Sequence, residues 1–160
     1  MLSGIRVRVA RTEDLDTVVA LRLALLREHP EHPVYGRLRP DAERRARRLF
    51  AAQLASVSES TFLAEPEQGA VVGIVRCIES VGSPLLFPER YCYLSSAYVL
   101  PASRRSGVLR ALVTQAFAWC RNRGLGEIRL HNVPDNPSAI AAWDALGFSV
   151  VEQLRVRSLT

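Results

Sequence analysis

A turn built from arginine, serine and glycine stands near the middle of this sequence. Strand-like Tyr98-Val99-Leu100-Pro101 ends at a proline. Ala102-Ser103-Arg104-Arg105-Ser106-Gly107 follows, and Val108-Leu109-Arg110-Ala111-Leu112 runs straight on as an amphipathic helix. Such a joint can hold an anion. The first amides of a helix have no intrahelical acceptor and point out of its N-terminus. The aligned peptide dipoles add partial positive charge there, and glycine at 107 lets a phosphate approach the backbone closely. Arg104, Arg105 and Arg110 reinforce the field. The same residues also fit an ordinary strand–turn–helix joint with surface arginines. No Gly-Lys-Ser/Thr follows, which excludes a Walker loop. Gly124-Leu125-Gly126 lacks a third glycine and lies at the wrong end of a helix for a dinucleotide fingerprint.

The elements that must position this turn are legible from their periodicity. Ile5 to Ala10 alternates apolar residues with arginine, as a strand with one wet face does. Thr12 is a candidate helix cap with Glu13 and Asp14 in the first turn, and Leu15, Val18, Val19, Leu21, Leu25 and Leu26 give the helix an apolar face. Pro30 and Pro33 end it, and residues 29–40 read as a loop. A second helix runs from about Pro40 to Ser56. Three strand-like runs follow, Thr61–Ala64, Ala70–Ile78 and Tyr91–Leu100. The pattern then predicts a helix over 105–123 closed by Gly124, a strand over 127–133, a short helix over 137–146 closed by Gly147, and a final strand over 148–156. The order β-α-α-β-β-β-α-β-α-β, with a long antiparallel middle and one late crossover, implies an α/β fold with a mixed, mostly antiparallel sheet flanked by helices on both faces.

Size and composition narrow the function classes. The 160 residues suit one domain spanning 1–160, and 48% hydrophobic with 23% charged residues is ordinary for a chain with a real core. No apolar run is long enough for a bilayer, and the stretch Met1 to Arg11 does not read as a secretory signal, so a cytoplasmic protein is expected. Cys77, Cys92 and Cys120 are too widely spaced for a C-x-x-C site and read as buried reduced thiols. His29 and His32, with Tyr35, lie in the loop between the first two helices; His-x-x-His on a loop is weak for metal, and no metal is expected. The net charge of +5 suits a phosphorylated ligand or nucleic acid. The arginines at 44, 45, 47 and 48 read as a solvated helix face or as a surface for an acidic partner.

In its central turn the chain resembles the GNAT (GCN5-related N-acetyltransferase) family. There the cofactor loop reads R/Q-x-x-G-x-G/A after a strand ending Val-x-Pro. Here Val99-Leu100-Pro101 precedes Arg104-Arg105-Ser106-Gly107-Val108-Leu109. The second family signature is matched by Asn136, Ala139, Trp143 and Asp144-Ala145-Leu146-Gly147-Phe148, and the opening Ile5-Arg6 and Thr12-Glu13-Asp14-Leu15 is also similar.

The resemblance implies transfer of an acetyl group from acetyl-CoA to a primary amine of a small molecule or peptide, by direct attack. It implies that amides of Ser106, Gly107, Val108, Leu109 and Arg110 hold the pyrophosphate, with Arg104 and Arg105 beside them. The backbone at Tyr98 and Val99 would pair with the pantetheine arm, and Asn136 would touch that arm from the other side. The slot would lie where the strand ending at Val99 parts from the strand ending at Val133.

Two positions depart from the pattern. Leu109 stands where Gly or Ala is usual, and it either crowds the cofactor or turns into the core. Trp143 stands where many relatives carry Tyr; an indole N–H is a poor acid, so Trp143 reads as a packing wall for the sulfur. The position where some relatives have a glutamate base is Tyr93. Glu79, Glu89, His131 or a water chain are the other candidates for removing the amine proton. The competing readings are a non-catalytic CoA-binding regulatory relative and a basic nucleic-acid-binding module. The expectation carried forward is an enzyme without nucleic-acid or membrane partners, with homodimers common in such a family.

Overall fold

The computed structural model describes residues 4–160; Met1 to Ser3, the start of the stretch read for a signal, lie outside the described residues. Five strands, β1 (Ile5–Val9), β2 (Glu59–Pro66), β3 (Gly73–Val81), β4 (Arg90–Val99) and β5 (Ile128–Arg129), form one sheet in that spatial order. The first four are antiparallel to their neighbours, and β4 and β5 are parallel. The helices are α1 (Leu15–Arg27), α2 (Ala42–Leu54), α3 (Val108–Asn122) and α4 (Pro137–Ala145). The α/β class and the mostly antiparallel sheet are as the periodicity implies.

The centre of β2 is apolar on both sides because both faces are covered. Phe62 and Ala64 pack with Val75, Cys77, Cys92 and Leu94 against Leu112, Ala116 and Cys120 of α3. Leu63 between them packs with Ile74 and Tyr98 against Val18, Val19 and Leu21 of α1 and Phe50 of α2. Gly73 lets α3 sit directly on the sheet: a Cβ there would come within 2.9 Å of Val108 Cγ1 and 3.1 Å of Leu112 Cδ1. The first turn of α3 is thereby fixed against the end of β3, beside Val99, with which Gly73 is paired.

The three thiols sit in the α3 layer, all free and buried. Contact with Cys120 draws the Cys92 thiol down, but Cys77 and burial outweigh it and push it up to about 12. The Cys92 contact and burial likewise raise Cys120.

Several boundaries differ from the sequence reading, among them β3, which runs Gly73–Val81 rather than 70–78. Helix α3 starts at Val108 rather than 105 because Arg105 (φ 60°) and Gly107 (φ 85°) are left-handed. Strand β5 has two residues instead of seven. The stretch 148–156 forms no strand, although its alternation is strand-like. Thr12 does not cap α1: a single 3-10 turn over Thr12–Asp14 precedes the helix, and the Asp14 carboxylate accepts the Arg11 N–H at 2.8 Å.

Asp14 also takes two bonds from Arg8, at 2.8 and 2.9 Å. The Arg8 hydrogen bond, only partly opposed by burial, lowers its pKa. A depressed carboxylate contributes stability that is present above the ordinary aspartate range and lost as pH falls through the folded value. Asp14→Ala should therefore cost about 1–2 kcal/mol at neutral pH, read from urea melts, with the loss shrinking toward acid pH.

Candidate active site

The joint between β4 and α3 has the shape its residues require. Gly107 is the N-cap of α3, no side chain caps that end, and the first helical bond runs from Ala111 N–H to the Gly107 carbonyl. The amides ahead of Ala111 therefore point outward. A Cβ added at Gly107 would meet nothing within 4 Å. Leu109 is partly buried and packs on the α3-side core, so it leaves the helix end open. Arg105 and Arg110 are exposed beside it.

Arg104 has a different task from the one its charge suggests. Its Nε donates to the Val99 carbonyl at 2.9 Å, and its Nη2 is hydrogen-bonded to Glu28 at the end of α1. The guanidinium ties the loop to β4 and α1. Ser106 fixes the same loop by donating its hydroxyl to the Ser103 carbonyl. Arg104→Ala and Glu28→Ala should each weaken acetyl-CoA binding by about three- to tenfold in calorimetry, as loss of one such tie loosens the loop. If Glu28→Ala leaves affinity unchanged while Arg104→Ala abolishes it, the arginine acts on the ligand directly.

Beside this joint β4 and β5 part. Strand β4 pairs with β5 only at Cys92↔Ile128 and Tyr93↔Arg129. From Leu94 to Val99 the β5-facing edge of β4 has no strand beside it among the described residues, so its backbone polar groups, apart from the Val99 carbonyl held by Arg104, are available to an extended ligand arm. A bulge accompanies the parting: Ser96 has φ 56°, and the register with β3 shifts between Ile74 and Arg76. The extra residue reverses the alternation. Tyr98 thereby packs in the α1–α2 layer, while Val99 packs in the α3 layer.

Side chains from both strands meet at the mouth of the slot. The Tyr93 hydroxyl lies 2.6 Å from His131 Nδ1, just past the last paired residue of β5. The rings are 5.5 Å apart and tilted by 58°. Burial and the neighbouring Tyr35 and Tyr91 raise the Tyr93 pKa, against a smaller opposing pull from Arg76. Tyr35 is held by His32, whose Nδ1 accepts the Val34 and Tyr35 amides at 3.1 and 3.0 Å and whose ring stacks on the tyrosine at 4.6 Å. Arg76 is locked to Glu59 by bonds of 2.7 and 2.9 Å. Arg22, resting on the Phe50 ring at 3.6 Å, is drawn down to about 10 by burial.

The remaining sequence candidates fall elsewhere. Both Glu79 oxygens are engaged, one by Arg90 and the other by Arg123 at 2.9 Å, so Glu79 is not placed as a base. Glu89 is exposed ahead of the first residue of β4, four residues before Tyr93, about 13 Å along a strand. Asn136 caps α4, its Oδ1 accepting the Ala139 N–H at 3.1 Å. Trp143 is partly buried, packs on the α3-side core and lies edge-on to Phe148 at 5.5 Å. The arginine run on α2 is a braced surface. Asp41 accepts from Arg39, Arg44 and Arg45, and Arg47 reaches Asp16.

What residue-by-residue reading missed was the pairing of Tyr93 with His131. The signal lay in the strand register: if Tyr93 faces Arg129, residue 131 lies two positions further on the same face.

Comparison with known proteins agrees with this geometry. An Aminoglycoside N(6')-acetyltransferase type 1 of Klebsiella aerogenes is 40% identical over 63 residues, 39% of this chain and 41% of that protein. A mycothiol acetyltransferase of Saccharomonospora viridis is 29% identical over 155 residues, 93% of this chain and 47% of that protein. The chain thus spans less than half the length of these curated relatives. The crystal structure of a predicted acetyltransferase from Clostridium acetobutylicum with acetyl-CoA superposes with a TM-score of 0.77 at 18% identity, covering 97% of this chain and 96% of that one. The profile of the Acetyltransferase (GNAT) family matches residues 21–148, and the chain belongs to that family.

Proposed function

We propose that the protein transfers the acetyl group of acetyl-CoA to a primary amine of a small molecule, by direct attack of the amine on the thioester. The observation that carries this reading is the open, uncapped N-terminus of α3 at Gly107 beside the unpaired edge of β4. A diphosphate suits the first feature and an amide-bearing arm the second. Backbone N–H groups of residues 106–110 hold the pyrophosphate. The β4 edge from Leu94 to Val99 aligns the pantetheine arm, and an N–H there polarises the thioester carbonyl.

The amine arrives protonated and must first become neutral. As Tyr93 passes its phenolic proton to His131 Nδ1, it accepts the proton of the ammonium group. The amine lone pair then forms the C–N bond, the C–S bond breaks, and the thiolate leaves as CoA. The second amine proton ends on that thiolate. A thiol with an ordinary pKa near about 8.5 departs without a dedicated acid, which leaves Trp143 free to act as a wall.

The relatives are named for aminoglycoside and mycothiol acetylation, so aminosugar amines belong in the acceptor panel with amino acids, polyamines and peptide N-termini. CoA-thiol release over that panel, with calorimetry against acetyl-CoA, tests the reading. Binding with turnover on at least one amine is expected. No binding at sub-millimolar acetyl-CoA removes the enzyme reading, and binding without turnover on any amine favours a regulatory relative.

A further inference from the structure

On the α1–α2 side of the sheet two guanidinium groups face one carboxylate. Arg76 of β3 holds Glu59 of β2 side-on, Nε and Nη2 donating at 2.7 and 2.9 Å, and both side chains are largely buried. Arg22 of α1 reaches the same place. Burial, and then repulsion from Arg76, draw it down to about 10, while Glu59 pulls the other way. It is therefore still charged near neutrality. Arg22 pairs with no carboxylate among the described residues: Nη1 donates to the neutral amide of Gln53 at 2.5 Å, and the guanidinium rests on Phe50. A half-buried cation costs free energy unless an anion meets it. No buried side-chain nitrogen or oxygen lacks a partner among the described residues. The unused donors, Nε and Nη2 of Arg22 and Nη1 of Arg76, therefore reach solvent and can receive a ligand. This place adjoins Tyr93. Ile78 stands opposite Tyr93, so Arg76 is its diagonal neighbour, about 7–8 Å away. The Arg76 charge already pulls on the Tyr93 hydroxyl. The other half-buried carboxylates of this side are occupied: Glu127 is held by Arg129, which lies over Tyr91 at 3.9 Å, and Glu28 is held by Arg104. Glu31 and Glu89 are exposed, where water and salt blunt their fields.

We infer that the acceptor is an amine bearing its own carboxylate, of the amino-acid kind, and that Arg22 and Arg76 receive this carboxylate while the amine lies at Tyr93. The inference deepens the acetyl-transfer reading and rests on it for the position of the amine. A planar carboxylate suits guanidinium edges, which present their N–H donors in a fixed fork. It supplies a second anion for two cations and offsets the repulsion between them. Anchored at that end, the acceptor has few orientations left in which to bring its nitrogen to the β4 edge, which favours attack. A polyamine, or an aminosugar with several ammonium groups, brings further positive charge to the same wall and is disfavoured. Arg22 is then a specificity-determining residue, because it is the cation that the protein itself leaves without an anion.

The test is CoA-thiol release on matched pairs, each α-amino acid beside its own primary amide, at fixed acetyl-CoA. The amine of the amide is the less basic and is more often neutral, so a preference for the acid must come from recognition. In at least one pair kcat/KM should be about 10- to 100-fold higher for the acid. Arg22→Gln should bring that pair within about threefold, with the acetyl-CoA Michaelis constant unchanged. Arg22→Lys keeps the charge without the fork and should retain part of the preference. Thermal melts and acetyl-CoA calorimetry show that each variant is folded and loaded. Amides used as well as acids in every pair overturn the inference and leave acetyl transfer standing. So does a preference that survives Arg22→Gln, or turnover confined to amines without a carboxylate. If no amine releases CoA, the acetyl-transfer reading falls, and binding decides the inference. The probes are then the N-acetyl derivatives of the same amino acids and amides, titrated by calorimetry with CoA present. Tighter binding of the acids, lost in Arg22→Gln, sustains the carboxylate site; equal binding or none removes it.

Discussion

Replacing His131 with alanine should lower kcat by about 10²-fold or more while leaving the acetyl-CoA Michaelis constant unchanged, because proton removal by a placed side chain typically contributes that much. The expectation comes from one contact, the 2.6 Å approach of the Tyr93 hydroxyl to His131 Nδ1 at the point where β4 and β5 separate. Tyr93→Phe keeps the ring and its packing and removes only the hydroxyl. If the two side chains act in series, either substitution breaks the same path, so the double variant should be scarcely slower than either single one. Steady-state rates over pH 6–9 decide the matter. Multiplicative losses in the double variant would show that the residues work separately, and an unchanged kcat in His131→Ala would mean that solvent removes the proton.

Gly107→Asp should abolish useful cofactor binding, raising the Kd for acetyl-CoA by about 100-fold or more, which corresponds to roughly 2.7 kcal/mol. Two effects act together. The side chain enters space that is open for at least 4 Å beyond the glycine. Its carboxylate also takes up the amides and the positive helix end on which a diphosphate depends. Aspartate and asparagine tolerate the left-handed backbone at φ 85° better than other substitutions do. Gly107→Asn is therefore the control: it adds similar bulk without charge and should weaken binding less. Calorimetry on both variants, with thermal melts to show that each is folded, measures the difference. Wild-type affinity in the aspartate variant would place the phosphates elsewhere.

The layers of this fold are legible in the sequence where burial is two-sided or regular. The apolar run Thr61–Ala64, the spacing of Val108, Leu112 and Ala116, and the stops at Gly124 and Gly147 depend only on local periodicity and backbone geometry. The anion joint could be read because helix ends carry their chemistry in the backbone. Two things were not available locally. The bulge at Ser96 arises from the mismatch between β3 and β4, and no residue in β4 announces it alone. The alternation of 148–156 is present, but a strand exists only where another strand accepts it, and none of β1 to β5 does. The candidate bases show the same limit. Glu79 looked suitable by type and neighbourhood, and only the fold brings Arg90 and Arg123 to its two oxygens.

The sealed thiols have a practical consequence at the bench. Because Cys77 and Cys92 lie on the sheet beneath α3 and Cys120 on the buried face of α3, a chromogenic disulfide reagent added to native enzyme should find only the CoA that turnover releases, with almost no background from protein. The same reagent added without acetyl-CoA becomes a clock for opening of the α3 layer, counting toward three equivalents per chain as α3 lifts from the sheet.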